Sequence, residues 1–144
     1  MNSVFKILLF GGLLTLSSLH LTAQIPQFSN PIIRGGYPDP SICRVGEDYY
    51  IVNSSFEYFP GLPIHHSKDL VNWTLIGHGL HQKEQCTGRM NLVDVQSNGG
   101  IHAPTIRYQN GKFYIITTNV YQPKKDEPAQ MINFIITATN PKGP

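Results

Sequence analysis

The chain repeats itself. Pro40-Ser41-Ile42 followed by Tyr49-Tyr50-Ile51-Val52 matches Pro104-Thr105-Ile106 followed by Phe113-Tyr114-Ile115-Ile116, with the same internal spacing. Each copy reads as strand, polar turn, strand, the turns being Val45-Gly46-Glu47-Asp48 and Gln109-Asn110-Gly111-Lys112. That is β-hairpin chemistry, and Asn110-Gly111 is the stronger turn signal of the two. After the first hairpin come a third strand ending in His66-Ser67, a turn at Lys68-Asp69 and a fourth strand opening at Trp73. Four-stranded antiparallel units at fixed spacing are the pattern of a β-propeller, whose blades each present an innermost strand to a central channel. After the second hairpin a longer loop leads to Phe134-Ile135-Ile136-Thr137-Ala138-Thr139, and the chain ends where the counterpart of Trp73 should begin. Such repeats need about three copies or more to bury a continuous core. The sequence therefore reads as the first blade and most of the second of a longer propeller, too short to act alone.

The rest of the chain is consistent with an all-β class. Helical periodicity is absent after the leader, whereas short β-branched and aromatic runs bounded by Gly, Pro, Asn and Asp recur. They predict strands at Ser41 to Val45, Tyr49 to Ser54, Leu62 to Ser67, Trp73 to His78, Thr105 to Tyr108, Lys112 to Thr118 and Asn133 to Ala138. Residues Met1 to Ala23 read as a secretory signal peptide: an early Lys6, an apolar run from Ile7 to Leu16, and a small residue at the cleavage position. The run is short of the roughly 20 residues that span a bilayer. This leaves residues 24 to 144 as the exported part, secreted or periplasmic, with no membrane span.

Removing the leader removes Lys6 alone among charged residues, so eleven Lys plus Arg against nine Asp plus Glu become ten against nine. Basic residues are scattered singly apart from Lys124-Lys125, which argues against a nucleic-acid partner or an anionic lipid surface. Two cysteines, Cys43 and Cys86, could pair in an oxidising compartment but cannot form a disulfide-dense scaffold, and Cys43 in a strand pattern reads rather as a small buried hydrophobe.

One carboxylate stands out. In Gly35-Gly36-Tyr37-Pro38-Asp39-Pro40-Ser41, two prolines fix their own φ and push each preceding residue toward extended backbone, so Asp39 is expected to be stiffly held. The repeat places it just ahead of an innermost strand, facing the channel mouth. An ordinary Asx turn is the competing reading of the motif by itself. The same alignment sets His102 and Ala103 against Pro38 and Asp39, bringing them to the same rim. Glu57, after the second strand, reads as a loop carboxylate. Trp73 opens an outermost strand and reads as packing. Asn53-Ser54-Ser55 and Asn72-Trp73-Thr74 are formal glycosylation acceptors. His65, His66, His78 and His81 invite a metal site, but adjacent strand residues face opposite ways and no chelating spacing appears, so no metal ligands are assigned.

The motifs fall in a telling order: Asn30-Pro31-Ile32, Tyr37-Pro38-Asp39-Pro40-Ser41-Ile42, Asp48-Tyr49-Tyr50, Ser54-Ser55-Phe56-Glu57-Tyr58-Phe59-Pro60-Gly61, His66-Ser67-Lys68-Asp69-Leu70-Val71-Asn72-Trp73 and Gly99-Gly100-Ile101-His102-Ala103-Pro104. This set resembles the start of glycoside hydrolase family 43, in its β-xylosidase and α-L-arabinofuranosidase branch, from about Asn30 to Pro144. The resemblance implies a five-bladed β-propeller and inverting hydrolysis of xylan- or arabinoxylan-type hemicellulose, with Asp39 as general base. Its partner acid, a glutamate, and a second aspartate would both follow Pro144. Inversion sets the two carboxyl groups roughly 6.5–9.5 Å apart, leaving room for the attacking water. Phe56, His102, Ala103 and Pro104 would line the subsite for the non-reducing sugar. Close β-xylosidase relatives often carry tryptophan where His102 stands, which bears on sugar preference. No cofactor is assigned to these residues. Some family members hold calcium in the channel, for which no ligand set is found here. A sugar-binding propeller fragment without catalysis, or an extracellular interaction module, are the alternative classes.

Overall fold

The two matched hairpins open two separate antiparallel sheets. The structure, a computed structural model, describes residues 28–90, 92–122 and 124–142, so the expected signal peptide lies outside the described residues. Strands β1 (Ser41–Val45), β2 (Asp48–Val52), β3 (Gly61–Ser67) and β4 (Thr74–Leu80) form the first sheet in sequential order. Strands β5 (Gly100–Gln109), β6 (Lys112–Tyr121) and β7 (Gln130–Ala138) form the second. Two single-turn 3₁₀ helices, Lys83–Gln85 and Gly88–Met90, lie in the connection between sheets. The chain is a meandering blade followed by three strands of another, matching the repeat.

Turn chemistry sets both hairpin registers. Val45 pairs with Asp48 around Gly46, whose φ is 61°, and Gln109 pairs with Lys112 around Asn110 (φ 49°) and Gly111 (φ 78°). Positive φ at both central residues is the primed-turn geometry that an Asn-Gly pair favours. Alternation then decides the core. Phe113 and Ile115 of β6 and Ile101 and Ile106 of β5 are buried against Val52, Leu62, Ile64 and Leu80 of the first sheet. Full burial of such a side chain stabilises by roughly 1.5–3 kcal/mol relative to exposure. The core is thus shared between blades, and Cys43 and Cys86 pack half-buried at its margin as free thiols. The opposite face of the second sheet leaves Ile116 and Ile135 more than half exposed, an apolar face of the kind a neighbouring blade covers.

All the strands but β1 differ from the sequence expectation by one to five residues at one end or both, and two of these differences shape the site. β2 stops at Val52 because Asn53 and Ser54 turn to the segment before β1: the Ser54 N–H donates to the Pro38 carbonyl at 3.1 Å. β5 begins at Gly100 because Ile101 forms a bridge with Phe56 across the two sheets, in addition to pairing with Asn119 of β6. The register of β5 shifts between His102 and Thr105, a bulge at Ala103-Pro104. Proline has no N–H to donate to a ladder, so a bulge is where a strand tolerates it.

Candidate active site

Asp39 sits immediately before β1 with its residue exposed to solvent, and it does not have the extended backbone its flanking prolines favour. Its φ is +51°, in the left-handed region. Aspartate is among the residues that tolerate that region, but the following proline does not select it. Tertiary hydrogen bonds do. Asn53, 1 % exposed, donates through Nδ2 to the carbonyls of Tyr37 (2.7 Å) and Pro38 (3.2 Å), and the Ser54 amide also reaches Pro38. The carboxylate is not used in an Asx turn. Asp39 Oδ2 instead accepts a 2.6 Å hydrogen bond from the hydroxyl of Ser54.

The second unit repeats this geometry without the carboxylate. Ala103, the counterpart of Asp39, has φ +45°. Thr117, the counterpart of Asn53, donates through Oγ1 to the His102 carbonyl at 2.6 Å, as Asn53 does to Pro38. Left-handed backbone costs an L-residue such as alanine about 1–2 kcal/mol, so its presence in both units marks a structural requirement at the propeller rim. The Ala103 N–H donates to Ser54 Oγ at 2.7 Å, joining the two rims at one hydroxyl.

Phe56 and His102 meet beside this link. Phe56 N–H and Ile101 N–H exchange hydrogen bonds with the opposite carbonyls at 3.0 and 2.9 Å. That close approach demands glycine at position 100: a Cβ there would drive into the Phe56 carbonyl, and the residue's φ is +80°. With the backbones tied, the Phe56 and His102 rings stand edge to face, centroids 4.7 Å apart. His102 Nε2 lies 3.0 Å from the Asn98 carbonyl, and since a carbonyl only accepts, that nitrogen carries a proton. An open cleft alongside is lined by Tyr37, Pro38, Ser54, Phe56, Tyr58 and Asn98. Half-wet aromatic surface next to a carboxylate suits a sugar, whose C–H faces pack on rings while polar groups set orientation.

Ser54 thus links Asp39 to Ala103, the Phe56 and His102 rings stand beside that link, and Pro104, expected to line the subsite, is buried in the bulge. Glu57 follows Phe56 on the same loop and lines the open cleft, but takes no part in the link between Asp39, Ser54 and Ala103. Trp73 lies just ahead of β4, its indole Nε1–H donating to the Leu70 carbonyl. Asn53, nominally a glycosylation acceptor, has its amide buried in the Tyr37-Pro38 contact. Ser54 and Asn53, quoted in the sequence only within a glycosylation acceptor and a family motif, are the neighbours that hold Asp39 and the segment before it. Extending the repeat past Val52 and Ile116 would have paired Asn53 with Thr117.

The histidines separate as strand geometry requires. His66 faces Asp48, Nε2 to Oδ1 2.6 Å, and that bond, chiefly, holds the Asp48 carboxyl below its ordinary range. His65 points inward, edge-on to Tyr37 at 4.7 Å, and burial, reinforced by His78, pushes its pKa down. Among the described residues no three His, Cys, Asp or Glu side chains are grouped to hold a metal ion. The groove between the sheets, lined by Ile64, His78, Ile106, Phe113 and Ile136, presents no carboxylate to a substrate. No helix among the described residues is long and apolar enough to cross a membrane.

Two blade-type sheets are joined at an inner rim, where a hydrogen-bonded carboxylate stands near an aromatic pair. The chain belongs to the glycosyl hydrolases family 43, whose model matches residues 28–144. It is 54 % identical over 117 residues to a non-reducing end α-L-arabinofuranosidase of Bacteroides ovatus, covering 81 % of this chain and 21 % of that protein. A β-xylosidase of Bacillus subtilis is 51 % identical over 94 residues, covering 65 % and 17 %. The crystal structure of a xylan β-1,4-xylosidase from Bacillus halodurans superposes with a TM-score of 0.69 at 43 % identity, covering 82 % and 22 %. The family's solved structures are five-bladed propellers, and this chain supplies part of that fold. It spans about a fifth of the length of the curated relatives it matches.

Proposed function

We propose that this chain carries the general base of an exported, inverting glycoside hydrolase that removes xylose or arabinose from the non-reducing ends of xylan- or arabinoxylan-type hemicellulose. The observation that carries the reading is Asp39: a solvent-open carboxylate, fixed by Ser54 at the inner rim and flanked by Phe56 and His102. In this role one Asp39 oxygen takes a proton from a water as that water attacks the anomeric carbon. The bond to the leaving oxygen breaks on the opposite face, where a glutamic acid outside these residues donates a proton. Phe56 and His102 pack on the non-reducing sugar. The left-handed backbone at Asp39 and Ala103 keeps both rims turned toward it. Export follows from the leader, Met1 to Ala23, and its test is the amino terminus of the secreted protein.

The catalytic assignment is tested in the full-length protein with Asp39→Asn, assayed on nitrophenyl β-xyloside and α-L-arabinofuranoside. Loss of a general base lowers kcat by about 10²–10⁴-fold, with melting behaviour preserved. Proton NMR of the first product formed reports inversion of the anomeric centre. Near-normal turnover of Asp39→Asn, or retention of configuration, overturns the assignment.

A further inference from the structure

We propose that Ser54 is a positioning residue that aims the Asp39 carboxylate and makes its alignment depend on the docking of the second blade. The inference rests on Asp39 as the base. Ser54 is 2 % exposed and follows β2, outside any strand. A hydroxyl has one hydrogen to give, and this one goes to Asp39 Oδ2 at 2.6 Å, while Oγ accepts the Ala103 N–H at 2.7 Å. The amide fixes where the oxygen sits, and the oxygen fixes where its proton points. No other group among the described residues hydrogen-bonds the carboxylate, so Oδ1 is left to solvent. A base with one oxygen tethered and the other open holds its free oxygen in a defined orientation toward the attacking water.

The repeat separates this role from ordinary scaffolding. Holding the segment before each inner strand falls to Asn53 in the first unit and to Thr117 in the second. The residues one step further on are Ser54 and Thr118, and these differ. Thr118 Oγ1 donates to Asn133 Oδ1 at 2.6 Å within its own sheet. Only in the unit that has a carboxylate at the rim does the aligned hydroxyl leave its sheet to hold it. Ser54 is also where the second blade enters, because Ala103 is 49 residues away along the chain. If the blades separate, the hydroxyl loses the donor that orients it and the carboxylate swings free.

The test is a double-mutant cycle in the full-length protein: Ser54→Ala, Asp39→Ala and the double variant, on an activated nitrophenyl glycoside so that residual rates can be read. Misplacing a catalytic group costs on the order of 10²-fold when displacements approach an ångström. Ser54→Ala is therefore expected to lower kcat by about 10–100-fold, with KM changed less than about threefold because the Phe56 and His102 rings that pack on the sugar are retained. In the Asp39→Ala background the same substitution should change the residual rate by less than about twofold, since Ser54 then has nothing to aim. Should Ser54→Ala fail to fold, Ser54→Cys, with its weak S–H donor, takes its place in the same cycle. Equal losses in both backgrounds would show a structural role and overturn the proposal. So would unchanged kcat for Ser54→Ala alongside an inactive Asp39→Ala. Full activity of Asp39→Ala would instead remove the base assignment on which the proposal rests.

Discussion

Replacing Gly100 by alanine tests whether the blade junction, rather than either blade alone, builds the site. Two costs add. The first is backbone strain: Gly100 has φ +80°, and a left-handed L-residue costs about 1–2 kcal/mol. The second is steric, because the new Cβ would collide with the Phe56 carbonyl, which is backbone and cannot rotate away. Relief requires giving up the paired hydrogen bonds between Phe56 and Ile101, at 3.0 and 2.9 Å. Each contributes about 1 kcal/mol net, and more where the abandoned group remains buried. The sum is about 3–5 kcal/mol. Gly111→Ala is the internal control: φ there is +78°, but a Cβ meets nothing within 4 Å, so only the strain is incurred. The reduced chain entropy of the unfolded state is common to both variants and cancels. Urea unfolding of the full-length protein should place Gly100→Ala about 2–3 kcal/mol below Gly111→Ala, or roughly 1 M or more in midpoint. It should also raise KM, because the Phe56 and His102 rings lose their shared anchor. Equal effects of the two substitutions would refute the reasoning.

Phe56→Ala should raise KM for a nitrophenyl xyloside by about 3–10-fold, the worth of an aromatic contact of about 0.5–1.5 kcal/mol; an unchanged KM would remove Phe56 from the subsite. Burial holds the His65 pKa below its ordinary value of about 6.5, so the unfolded chain takes up its proton first as pH falls. Its contribution to stability is therefore complete above about pH 6.5 and is lost on acidification toward the folded pKa. His65→Phe should lessen the drop in melting temperature between about pH 7.5 and about pH 5, while His78, lowered for the same reason, retains part of it. Asp69 accepts hydrogen bonds from the Val71 and Asn72 amides, the Asn72 side chain and the Ser67 hydroxyl, which hold its carboxyl far below the ordinary range. Asp69→Ala should speed hydrogen exchange at Val71 and Asn72 selectively, and unchanged protection would show that the turn between β3 and β4 holds without it.

Much of the fold is legible in short windows of sequence. The β1–β2 and β5–β6 hairpins follow from β-branched runs around Val45-Gly46-Glu47-Asp48 and Asn110-Gly111, because turn conformation and strand alternation are decided by residues a few positions apart. The candidate site is legible in part for a different reason. Asp39 and Ala103 occupy equivalent places in two copies of one unit, so the alignment that finds the blades also finds the rim. It does not supply the conformation. Reading Pro40 locally predicts extended backbone at Asp39, yet φ is +51°, since hydrogen bonds from Asn53 and Ser54 outweigh the local preference.

The sequence by itself determined the repeat, the strands and the position of one carboxylate, all of which rest on periodicity and turn chemistry over short distances, and it carried the motifs that resemble the family. Only the tertiary structure decided what holds that carboxylate. Ser54 lies 15 residues from Asp39 and 49 from Ala103, and no local rule couples positions so far apart. The coupling arises because two blades share one core and press their inner rims together. A single buried hydroxyl there has one proton to give and one amide to satisfy it.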